Sequence, residues 1–251
     1  MTIFGIGLHV LIALFFAVHV IRTHQQMYWL MILFMFPGLG SIVYFLAIYL
    51  PSSRLDQGAR KVVSAAARTL DPNRELREAR AAFDYTPTAQ NQMRLAAAQL
   101  EAGAADEAAA TYEACLQGVF ASDPEIRYAA ARATLACGRA AAAVAHLELI
   151  RKNDVNFRPE QVALLLAQAL AAAGRNDDAK LEFEFALTRF GSFAARAEFA
   201  IWAANAGDAA LAQELHAELR RTMERWNRHT REMNQELLRR LDTAMSSMRR
   251  A

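Results

Sequence analysis

Two cysteines in 251 residues are too few to build a disulfide framework. Cys115 and Cys137 lie inside helical runs without metal-ligand spacing, so reduced, buried thiols are the favoured reading over a structural disulfide. Net charge is small as well. A net charge of +2 is too small to make nucleic acid the expected partner. Catalytic signatures are missing: there is no nucleophile elbow, no Gly-x4-Gly-Lys, no His-Glu-x-x-His and no Cys-x-x-Cys. Gly5-x-Gly7 and Gly38-x-Gly40 sit in apolar runs, outside the strand–turn–helix context of a nucleotide site. Asp177-Asp178 falls at a helix start, where a solvated first turn accounts for it. The chain reads as a non-enzyme with neither cofactor nor metal.

Hydrophobic residues, at 54%, exceed the ordinary globular share, and the excess is concentrated at the N-terminus. Met1 to Ile21 carries no charge except on His9 and His19, Arg22-Thr-His-Gln-Gln26 interrupts, and Met27 to Leu50 is again uncharged. About 20 apolar residues span a bilayer, so residues 1–50 read as a two-span helical hairpin. Tyr28 and Trp29, with Tyr44 and Tyr49 toward the other end, suit the interfacial belts. A cleaved signal peptide fits less well, because the start is not basic and a second run follows at once. For His9 and His19, polar packing or snorkelling is favoured over a redox or proton role, since the second run offers no partner histidine.

Arg54, Arg60, Lys61 and Arg68 follow the second run closely, whereas the turn holds only Arg22. The positive-inside rule then puts both termini in the cytoplasm of a bacterial-type inner membrane. Residues 51–70 form a basic linker that sets topology and can meet anionic headgroups. Asp71-Pro72-Asn73 opens a helix, Glu75 to Tyr85, read as a cap or as half of a decayed repeat.

Residues 71–219 are periodic. Gly103, Gly138, Gly174 and Gly207 follow one another at 35, 36 and 33 residues. Five positions after each comes Ala108, Ala143, Ala179 or Ala212, and nine positions after comes Tyr112, Leu147, Phe183 or His216. Seven positions before stands Ala96, Ala131, Ala167 or Ala200. Such a period marks a solenoid of stacked helix pairs, with small residues where helices cross and glycine supplying the turn's positive φ. Thr86-Pro87, Asp123-Pro124 and Arg158-Pro159 place proline at the first helical position, and Ser192 is a cap candidate. After Leu219 the sequence reads as one long helix, 220–251. Its apolar stripe is Trp226, Met233, Leu237, Leu238, Leu241 and Met245, and nine arginines surround it. A solenoid cap is the favoured reading; lying on the membrane or pairing with a second copy are the alternatives.

The repeated residues resemble the tetratricopeptide repeat, most closely at Gly174, Ala179, Phe183 and Ala186, although that motif's tryptophan is absent. The resemblance implies an all-α solenoid of about four helix pairs whose concave face binds a protein segment. Carried over by position, the groove is Met93, Ala97, Tyr128, Arg132, Leu164, Gln168, Ala197 and Ile201. Trp29, Pro37, Gly38, Gly40 and Tyr44 resemble the two-helix region that precedes the catalytic part of cardiolipin synthases. That family's His-x-Lys signature is absent, so the resemblance implies an anchor without lipid synthesis. The expected function is a membrane-anchored scaffold or adaptor, with envelope or membrane-lipid assembly as the setting the anchor points toward. An auxiliary subunit that contacts a membrane enzyme through the hairpin is the alternative. Partners are then a protein segment and membrane lipids, with a homo-oligomer left open.

Overall fold

A computed structural model describes residues 14–18, 20, 22, 28–35, 43, 71 and 73–250. The chain divides into two compact units, Met1–Pro72 and Asn73–Ala251. In the first, the described residues are helical apart from Asp71, and they include α1 (Tyr28–Met35). Among the described residues no helix is long and apolar enough to cross a membrane. Most of the expected two-span hairpin, with Pro37, Gly38, Gly40, Tyr44, His9 and His19, lies outside the described residues, as does the 51–70 linker.

The second unit is all α among its described residues. α2 (Arg74–Tyr85) precedes four antiparallel pairs: α3 (Ala89–Glu101) with α4 (Ala105–Cys115), α5 (Pro124–Ala136) with α6 (Ala140–Asn153), α7 (Pro159–Ala172) with α8 (Asn176–Phe190), and α9 (Phe193–Ala206) with α10 (Ala209–Met223). The second helix of each pair packs on the first helix of the next, and first helices of successive pairs also touch. α2 stands to α3 as α4 stands to α5, and its Ala79 is buried with Leu95 and Ala98.

The periodic residues make this stacking. All four glycines that join the helices of a pair have positive φ, from 77° to 84°. The residue after each donates its N–H to a carbonyl five positions back, as in Arg139 to Thr134 at 2.8 Å and Arg175 to Leu170 at 2.9 Å. This closes the last turn in a Schellman arrangement that an L-residue with a side chain adopts at a cost. The alanines seven before and five after each glycine are fully buried, and Tyr112, Leu147 and Phe183 are buried behind them. His216 is the exception: it is half-buried, and the neighbouring Leu215 enters the core instead.

Three first helices start on a side-chain cap: Thr88 accepts from Asn91 N–H, Asp123 from Ile126 N–H and Ser192 from Ala195 N–H. Pro124 and Pro159 stand at the head of their helices as expected. Pro87 does not. The helix begins two residues later at Ala89, because Thr88 takes the cap and Asn91 Nδ2 donates to the carbonyl of Thr86 at 2.8 Å.

The single helix expected over 220–251 is also corrected. α10 runs on to Met223, α11 spans Arg228–Met233 and α12 spans Gln235–Met248. The first break has three causes. Asn227 is extended and caps α11 by accepting from Thr230 N–H at 2.8 Å, Trp226 folds onto Phe193 with ring centroids 4.3 Å apart, and Arg231 donates to the terminal carbonyl of Met223 at 2.9 Å. The second break falls at Asn234, whose backbone leaves the helical region with φ of −103° and ψ of 10°. The bend lays α12 against α9, where Leu241, Ala244 and Met245 are buried in the last core with Leu219. Met233, expected on the apolar stripe, is left 74% exposed.

Candidate protein-binding face

The first helices α3, α5, α7 and α9 carry the residues expected to line a groove, and the stack treats them unequally. Ala97 and Arg132 are exposed, while Met93, Tyr128 and Gln168 are half-buried. Leu164, Ala197 and Ile201 are buried in the core that joins the last two pairs. A partner can therefore touch the first two pairs and Gln168, whereas Leu164, Ala197 and Ile201 act as packing. Met93 rests against the core of Ile126 and Ala130, and Tyr128 against that of Val162 and Leu166.

Tyr128 and Arg132 sit one turn apart on α5. Burial raises the pKa of the Tyr128 phenol, and Arg132 and Arg158 work against that rise. Buried Tyr112 is raised in the same way, with Arg132 again opposing. One guanidinium thus lies within electrostatic reach of two tyrosines.

Beside this pair is a cluster from the α6–α7 turn that sequence reasoning missed. The Phe157 ring meets Tyr128 edge-on at 6.3 Å, and the Arg158 guanidinium lies over both rings, 5.7 Å from Tyr128 and 5.4 Å from Phe157. Arg158 also reaches Glu125 at 2.6 Å. Its φ of 39° is the only positive value among described residues other than glycine. An L-residue is held there at a cost of order 1–3 kcal/mol, which the cation–π contacts and the ion pair oppose. Loop residues carry no helical period, so only the proline after Arg158 marked this turn in the sequence.

Phe157 also lines a cavity of about 160 Å³ with Val162, Phe185 and Phe190, and Arg151 and Arg189 stand among its walls. Around it Val155 and Phe185 are exposed at 67% and 50%, and Leu181 lies one turn from Phe185 at 65%. These side chains leave a small apolar patch facing solvent.

The cysteines and His146 are held within the stack. Cys115 and Cys137 are free, and Arg139 Nε donates to Cys137 Sγ at 3.2 Å. His146 stands 3.9 Å from Glu113, and burial followed by the Arg127 charge lowers its pKa. Trp29, expected to belong to a membrane-anchor motif, falls in α1. Comparison with protein-family models gave no match, and comparison with curated proteins gave none either.

Proposed function

We propose that the chain is a non-enzymatic scaffold or adaptor. Its helix pairs, read as degenerate tetratricopeptide-type repeats, bind a protein segment, and its N-terminal apolar runs tether it to a membrane. The observation that carries this reading is the open face of the first two pairs, where Met93, Ala97, Tyr128 and Arg132 stand on a preformed stack of helices. Tyrosine and arginine are the residue types that anchor protein interfaces, and a stack that is already formed loses little freedom on binding. An apolar floor beside the exposed Arg132 and the ion-paired Arg158 suits an amphipathic helix or apolar extended segment carrying a carboxylate. Tethering to a plane raises the effective concentration of such a site near membrane partners without any new contact.

Truncation tests the reading. A scaffold of this kind binds its partner through residues 73–251, and Ala97→Glu with Arg132→Glu abolishes that binding while the helix content stays unchanged. Capture of the same partner by residues 1–72 alone would overturn it in favour of an auxiliary subunit that works through the hairpin.

A further inference from the structure

We propose that the broken C-terminal segment, from the end of α10 through α12, is a docking surface for anionic lipid headgroups, independent of the protein-binding face. Residues 220–251 contain nine arginines, no lysine and four carboxylates (Glu224, Glu232, Glu236 and Asp242), an excess of five positive charges. Only three of these arginines are paired: Arg228 with Glu232 at 2.8 Å, Arg239 with Glu236 at 2.6 Å, and Arg240 with Glu198 at 2.7 Å. Arg220, Arg221, Arg225, Arg231, Arg249 and Arg250 are exposed and have no described carboxylate within 4.0 Å. Arg231, Arg249 and Arg250 donate to backbone carbonyls instead, which leaves their charge uncompensated.

The two helix breaks gather these cations. An open hollow of about 890 Å³ between α11 and α12 is lined by the unpaired Arg231 and Arg250 and the ion-paired Arg228 and Arg239, together with Leu238, Glu232 and Asp242. A second, of about 330 Å³, is formed by Arg221, Thr222, Arg225 and Trp226. Guanidinium groups match phosphate oxygens through paired N–H donors and give up their hydration more readily than ammonium groups do.

Two features select a bilayer over nucleic acid. Met233 projects into solvent, 74% exposed, among these arginines, and an apolar side chain within a basic surface is the arrangement of interfacial segments. The interleaved carboxylates would also oppose a continuous phosphate chain, whereas individual lipids diffuse to individual arginines.

The unit 73–251 has its own cores and can be tested by itself. Mixed with phosphatidylcholine vesicles with and without phosphatidylglycerol, it is expected to sediment only with the anionic vesicles, and less as salt rises. Arg221→Gln with Arg225→Gln and Arg250→Gln should weaken that binding on the order of 100-fold, since each basic residue at such a surface contributes roughly fivefold. The same loss of three charges elsewhere, Arg132→Gln with Lys152→Gln and Arg189→Gln, should change it less than about fivefold. Helix content, followed by circular dichroism, should be unchanged in both triple variants. Equal weakening by the two sets would overturn the proposal, because binding would then follow net charge rather than this surface. It would also be overturned by equal binding to both vesicle types, or by a short DNA duplex that displaces the unit from anionic vesicles.

Discussion

In the α3/α4 pair, the large residue behind the glycine turn is Tyr112, and its neighbours are mostly small: Ala96, Ala108, Ala109, Ala130 and Ala133. In the α7/α8 pair it is Phe183, stacked on Phe199 at 5.5 Å and tilted against Trp202 at 5.8 Å. The core around Phe183 continues through Leu215 and Leu219 to Leu241 and Met245 on α12. At the other end Gln99 is buried and satisfied by side chains, accepting from Thr111 Oγ at 2.8 Å and donating to Glu107 at 3.3 Å. One turn geometry is therefore filled in two ways. Large apolar groups fill the cores of the last two pairs, and mostly small groups fill the core of the first. The first pair, where Ala97 is exposed, has the lightest packing, which is where a stack is least costly to open.

Breaking the heavy end should have the largest effect. Phe183→Ala is expected to cost about 3–5 kcal/mol, because it leaves a cavity between stacked rings, and chemical denaturation checks it. In the intact unit, hydrogen exchange should release amides of α2 to α4 before those of α7 to α10. The reverse order would refute the contrast between the two ends.

Turn geometry should be worth less. Gly174 has φ of 77°, and a Cβ built there meets nothing within 4 Å. Gly174→Ala should therefore cost only its backbone term, about 1–2 kcal/mol, with Gly174→Asn costing less. Equal losses for the two substitutions would show that packing, and not φ, sets the requirement. The caps come next. Ser192 caps α9 at 2.9 Å and also meets Glu160 of the preceding pair. Ser192→Ala should cost about 1 kcal/mol in thermal or chemical unfolding.

The smallest effect is on pH. Burial is the first cause of the lowered pKa of both His146 and His216, so each is protonated more readily in the unfolded chain. Stability should be greatest above the ordinary histidine value of about 6.5 and fall as pH drops from there toward the lowered folded values. Melting curves at pH 8 and pH 5.5 should differ less in His146→Gln, and an unchanged difference would remove His146 from the account.

Much of the second unit was legible in its sequence, because a solenoid repeats one local solution and every copy reports the same turn. Gly103, Gly138, Gly174 and Gly207 gave the pairs, and the alanines around them gave the crossings. Features without a repeat were harder to see. Thr88 displaced the start expected at Pro87 by one side-chain hydrogen bond, and Asn227 broke a pattern whose arginines and apolar residues were helical throughout. The face was legible as a set of positions but not as a surface. Repeat arithmetic points Leu164, Ala197 and Ile201 to the same side as Ala97 and Arg132, and only the closeness of the last helices buries them. Phe157 and Arg158 come from a loop, where no period could announce them.

Photo-crosslinking in native membranes from probes at Ala97 and Arg132 tests the scaffold reading most directly. The account predicts one dominant protein adduct at both positions, absent from probes at buried Ala197 and lost when Tyr128 becomes glutamate in a chain that still folds. No adduct at either position, with a protein captured from a probe at Gly40 in the apolar run, would contradict it.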